Sequence, residues 1–262
     1  MRQPFQRRLL ASATLALAYA LPLPAATIDS MGEAINQAGR QRMLTQRIVK
    51  SYCQMGQDIR YLVASEDLDK AVALFEEQLS NLKHYARGND VQNTLQTAER
   101  LWQPVKQIAT ADISRDQAES LRSLAEKLLA VAHKAVLQLE AQSGSSQGHL
   151  VNIAGRQRML TQRMGNLYVL MSWGFDKPRY RADYDKAVHE FEVALEELMT
   201  APENTPEIDQ ALVKVSQNWA MFKLGNKTNQ GEYVPTLVVR MLDKMLVQMN
   251  RITGLYATLP ER

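Results

Sequence analysis

The sequence predicts an all-α molecule: two tandem up-and-down four-helix bundles, able to pack side by side as an internal pseudo-dimer. Three observations carry this. Apolar residues recur at helical spacing along almost the whole chain. Twelve Gly and nine Pro in 262 residues are too few for the many turns of a β architecture. The chain also repeats itself: residues 35–47, INQAGRQRMLTQR, return as residues 151–163, VNIAGRQRMLTQR, with eleven of thirteen positions identical at an offset of 116. The same offset aligns Asp69, Lys70, Ala71, Val72, Phe75 and Glu76 with Asp185, Lys186, Ala187, Val188, Phe191 and Glu192. After one residue of slippage, Trp102 aligns with Trp219 and Lys127 with Lys244.

In the first unit, 27–142, the pattern predicts helices over 31–63, 67–86, 90–109 and 114–142. In the second, 149–262, it predicts helices over 149–173, 179–200, 206–224 and 232–257. The starts carry capping chemistry: Ser30 with Glu33, Ser114 with Gln117, and Thr205 followed by Pro206. Pro104 lacks an N–H and should kink the third helix or end it early. Residues 143–148, SGSSQG, read as the hinge between the units. A helix running on through that stretch would instead stack the bundles end to end.

Residues 1–26 combine a basic start (Arg2, Arg7, Arg8), an apolar run and small residues at the end, the pattern of a secretory signal peptide. Cleavage is expected after Ala26, with Ala20 as the alternative. The run is short for the roughly 20 residues that a bilayer span needs, which disfavours an uncleaved anchor. The mature protein is therefore expected to be exported and soluble. Loss of that segment takes three arginines with it and cancels the formal net charge of +3, which leaves no basic footprint for nucleic acid. A single cysteine, Cys53, excludes an internal disulfide or a multi-cysteine metal site.

The repeated motif holds the candidate chemistry. On a helical wheel at about 100° per residue, Arg42 lies within a stripe formed by Ile35, Ala38, Gly39, Gln46, Val49 and Cys53. Arg40, Arg47 and Asn36 fall on the opposite side, where solvent is expected. Arg158 repeats the geometry between Ala154, Gly155, Gln162 and Gly165. Arginine keeps its charge when buried, and an unpaired buried cation costs several kcal/mol, so each must meet an anion. A carboxylate on a neighbouring helix, Glu76 or Glu192, would make a structural salt bridge. The small residues beside each arginine leave room for a ligand instead, and they fit close helix packing equally well.

The string I/V-N-x-A-G-x-x-R-M resembles the signature of the first periplasmic helix in nitrate/nitrite sensor kinases. The longer AGRQRMLTQR resembles the PilJ-type domain, the N-terminal sensor domain of type IV pili methyl-accepting chemotaxis transducers, here as a tandem repeat. That resemblance implies a sensor or signalling protein with a ligand site where two motif helices meet. It carries the ligand-binding role to Gly39, Arg42, Gly155 and Arg158. It implies a small anion of the nitrate/nitrite or carboxylate class as ligand and a membrane-bound transducer or sensor kinase as partner. Nitrate sensors have a small and an apolar residue between the Gly and the Arg, where this chain has Arg40–Gln41 and Arg156–Gln157. No second span or output region is expected, so a signal would pass through the partner. A helical scaffold without ligand, its arginines in salt bridges, is the other function class.

Other candidates are weaker. His84, His133, His149 and His189 never pair at ligand spacing, and no metal or cofactor is expected. The Met241, Met245, Met249 stripe and the two equivalent tryptophans, Trp102 and Trp219, read as helix core. No nucleophile elbow, phosphate loop or zinc-protease signature is found, so an enzyme is not expected.

Overall fold

The computed structural model describes residues 28–260 apart from 176 and 229–231, with backbone alone described at 225–228. The expected signal peptide, 1–26, lies outside the described residues. Eight α-helices make up the described chain: α1 (Met31–Met55), α2 (Tyr61–Tyr85), α3 (Asn89–Ala109), α4 (Arg115–Ser143), α5 (Ser146–Ser172), α6 (Pro178–Met199), α7 (Pro206–Thr228) and α8 (Pro235–Ala257). Helix α1 packs on α2 and α4, and α3 bridges those two, which closes the first bundle. Helices α5 to α8 repeat this arrangement. The bundles lie side by side, with the motif helices α1 and α5 as their principal contact. No helix among the described residues is long and apolar enough to cross a membrane.

The repeat is visible in the packing. Phe75 stacks on Trp102 in the first bundle, ring centroids 4.2 Å apart, and Phe191 meets Trp219 at 4.5 Å in the second. Tyr52 reaches from α1 to the start of α4, where its hydroxyl accepts from the Ser114 N–H at 2.8 Å. Tyr168 does the same for α8, accepting from Val234 at 2.9 Å. The methionine stripe of α8 is core, Met245 and Met249 being fully buried.

Several boundaries differ from the sequence reading. Helix α1 stops at Met55, not 63, because the 56–60 turn begins at Gly56 and places Asp58 and Arg60 in left-handed backbone. Helix α3 runs through Pro104 to Ala109, so the early end expected there does not occur. Ser30 caps α1 as expected, its hydroxyl accepting from Glu33 at 3.1 Å, and Thr205 caps α7. Ser114 caps α4 through no side-chain bond, since Tyr52 holds its backbone. The stretch 143–148 is mostly helical. Gly144, at φ 61°, ends α4, and the Ser145 hydroxyl accepts from Gly148 to start α5. Two residues thus reverse the chain, which sets α5 against α1 instead of extending α4.

Candidate functional site

The site is built where α1 crosses α5. Gly39 faces Gly155 so closely that a Cβ added to either would lie 3.8 Å from the other's Cα. The same Cβ would lie 3.3 Å from Nη2 of Arg158 and 3.4 Å from Nη2 of Arg42, at Gly39 and again at Gly155. Both motif arginines therefore flank one glycine seam, related by a local pseudo-two-fold. Each reaches across to the opposite helix. Arg42 Nη2 donates to the Asn152 carbonyl at 3.0 Å, and Arg158 Nη2 donates to the Asn36 carbonyl at 3.0 Å.

The remaining partners are neutral. Arg158 Nη1 donates to Oδ1 of Asn36 at 2.9 Å and to Oδ1 of Asn250 at 3.0 Å. Arg42 Nη1 sits 3.1 Å from Nδ1 of His133. A guanidinium only donates, so that ring nitrogen must be the acceptor, and His133 carries its proton on Nε2. Burial, with help from the Arg42 and Arg156 charges, holds the His133 pKa below its ordinary value and favours that neutral form. The expected salt bridges to Glu76 and Glu192 do not form: Glu76 pairs with Lys106 and Glu192 with Lys223. Neither motif arginine has an ion-pair partner among the described residues, and both Nε atoms are buried without an acceptor.

Electrostatics follow from this. Arg42 is 1% exposed and Arg158 is fully buried. Burial, then the Arg156 charge, lowers the Arg42 pKa to about 9, with Glu140 acting the other way. Burial, then Arg40 and Arg42, takes the Arg158 pKa well below its ordinary value. Arg42 remains a cation at neutral pH. The shifts therefore express a cost that neutral acceptors only partly offset. Two buried positive charges without an ion-pair partner among the described residues share one seam, an arrangement that favours an anion.

Other motif residues have structural work. Gln41 donates to the Phe75 carbonyl at 3.1 Å, and Gln157 to the Phe191 carbonyl at 2.8 Å, so each pins its bundle's second helix to the motif helix. Asn166 donates to Gln46 across the seam at 2.7 Å. Arg47 pairs with Asp67 at 2.6 Å and Arg163 with Glu126 at 2.8 Å. A cavity of about 270 Å³ opens between α4, α5 and α6, with Arg42 and His133 in its wall.

The sequence reading placed Asn36 toward solvent, yet it is 4% exposed and is a principal partner of Arg158. It also did not single out His133, Asn152 or Asn250 as arginine partners. Asn36 and Asn152 were open to detection, because both lie inside the repeated motif.

The family of type IV pili methyl-accepting chemotaxis transducer N-terminal domains (PilJ) matches residues 25–129 and 139–224, so that each copy of the repeated motif falls in its own segment. No curated protein and no solved structure matches the chain. With both copies of the motif meeting at one seam and the match covering most of the sequence, the chain belongs to the PilJ family of sensory input domains, in tandem.

Proposed function

We propose that this protein is a periplasmic ligand-binding sensor whose two PilJ units form one anion site at their shared seam, and that it reports occupancy to a membrane-bound transducer or sensor kinase. The ligand is a small anion of the nitrate, nitrite or small carboxylate class. Gly39 and Gly155 let the helices approach, and Arg42 and Arg158 supply the charge. One observation carries the reading: two buried guanidiniums beside the same glycine pair, neither with a carboxylate partner. A protein that needed the arginines only as struts would be expected to pair them with its own acids. Binding would draw each fork off a backbone carbonyl of the opposite helix and so alter the α1–α5 contact, a change that a partner helix could read.

Mass action supplies the test. A ligand of the native state at a hundredfold excess over Kd adds about 2.7 kcal/mol of stability. For a chain of this size that is a rise of roughly 5–10 °C in Tm. Nitrate, nitrite or formate should give such a rise with the intact protein, and the Arg42→Lys/Arg158→Lys double variant, which keeps both charges but loses the planar forks, should lose most of it. No rise with any of these anions would leave the scaffold reading standing.

A further inference from the structure

The two halves of the seam have diverged, and the divergence lies beside the cavity. Asn36 turns its Oδ1 to Arg158, whereas its equivalent Asn152 leaves Oδ1 without a partner and donates to Glu140 at 2.6 Å. Asn250 accepts from Arg158 at 3.0 Å, while its equivalent His133 sits beside Arg42 at the cavity wall. Arg158 thus has three protein acceptors and Arg42 two. Leu74 of the first unit corresponds to Glu190, which lines the cavity.

We propose that the cleft between α4, α5 and α6 is a second ligand site, adjoining the glycine seam and sharing Arg42 with it, for an organic monocarboxylate with a body of several carbons. The chemistry of the wall sets the ligand class. Arg42, Arg156, Arg163 and Lys186 line the cleft together with Glu126, Asp183 and Glu190. Each acid is already engaged: Glu126 by Arg163 at 2.8 Å, Glu190 by Arg156 at 3.1 Å, and Asp183 by Arg122 at 2.7 Å. Lys186 also reaches Glu190, at 3.9 Å, so Arg42 is the one lining cation without an acid, and the cleft calls for a negative charge beside it. A planar fork suits a planar carboxylate. Leu129, Ala130, Met159 and Ala187 supply an apolar surface that an inorganic anion would not use. A volume of about 270 Å³ also far exceeds what the four heavy atoms of nitrate fill.

Benzoate, butyrate and acetate serve as probes against the full chain, with binding read by calorimetry and nitrate run in parallel. Benzoate and butyrate should bind at least tenfold more tightly than acetate. Ala130 is exposed on α4 and lies at the cleft but not at the seam. Ala130→Phe should cut benzoate affinity at least tenfold and leave the nitrate response unchanged. Arg156→Gln, a second and half-exposed position, should weaken benzoate severalfold. Three results would overturn the proposal: no benzoate or butyrate binding, equal affinity in Ala130→Phe, or parallel loss of nitrate and benzoate, which would merge the cleft with the seam. Benzoate binding that persists while nitrate binds nowhere would support the cleft and count against the seam alone.

Discussion

At the residue scale the proposed site depends on how each arginine is surrounded. Gly39→Ala is a sharp test because two opposing terms have known sizes. Alanine gains about 1 kcal/mol over glycine inside a helix. Here, however, its Cβ would press both guanidiniums at 3.3–3.4 Å, and those are tethered to opposite carbonyls at 3.0 Å. Overpacking costs about 1–3 kcal/mol, so the variant should be net destabilised in urea unfolding despite its better helix propensity. His133 offers a pH test. Its folded-state pKa lies below the ordinary 6.5, so as pH falls below about 6.5 the unfolded chain binds a proton that the folded one resists, and stability drops. His149, held by Glu140 and Glu197, has a raised pKa and works in the opposite sense, its stabilisation fading as pH rises. His133→Asn copies Asn250, keeps an acceptor for Arg42 and leaves His149 untouched. Its Tm relative to the parent should therefore climb steadily between pH 7 and pH 5, and a constant difference would contradict the assigned tautomer.

At the scale of elements, the turn after α1 shows how neighbouring helices set boundaries. A Cβ on Gly56 would overlap the Trp173 indole at the end of α5. Gly56→Ala should cost about 1–3 kcal/mol, read as a lower urea midpoint with an unchanged slope. The helical period and the capping residues made all eight helices legible in the sequence. What it concealed were effects that come from the other bundle. A wheel drawn for one bundle has one buried face, and it sent Asn36 to solvent. Helix α1 is enclosed by α2 and α4 on one side and α5 on the other, so most of its circumference is buried. The early end allowed by Pro104 fails for a simpler reason: the lost hydrogen bond is local, and packing of Trp102 and Val105 carries the helix through it.

At the scale of the molecule, duplication brings two copies of the motif helix together within one chain. Two residues, Gly144 and Ser145, turn the second unit back so that α5 lies against α1. The repeated motif made Gly39, Arg42, Gly155 and Arg158 legible as a set. Their convergence was not, because it depends on how that turn directs the chain. Residues 27–143 expressed alone would leave the seam face of α1 uncovered, with Arg42 and Asn36 bared. This half should self-associate through α1, giving a dimer or larger species by sedimentation, whereas a stable monomer would show that the seam is dispensable. The proposed site gives two arginines one shared guest. Calorimetric titration of the intact protein with nitrate should give one anion per chain, lost in Arg42→Lys/Arg158→Lys. Two equivalent anions per chain, or unchanged binding in that double variant, would contradict it.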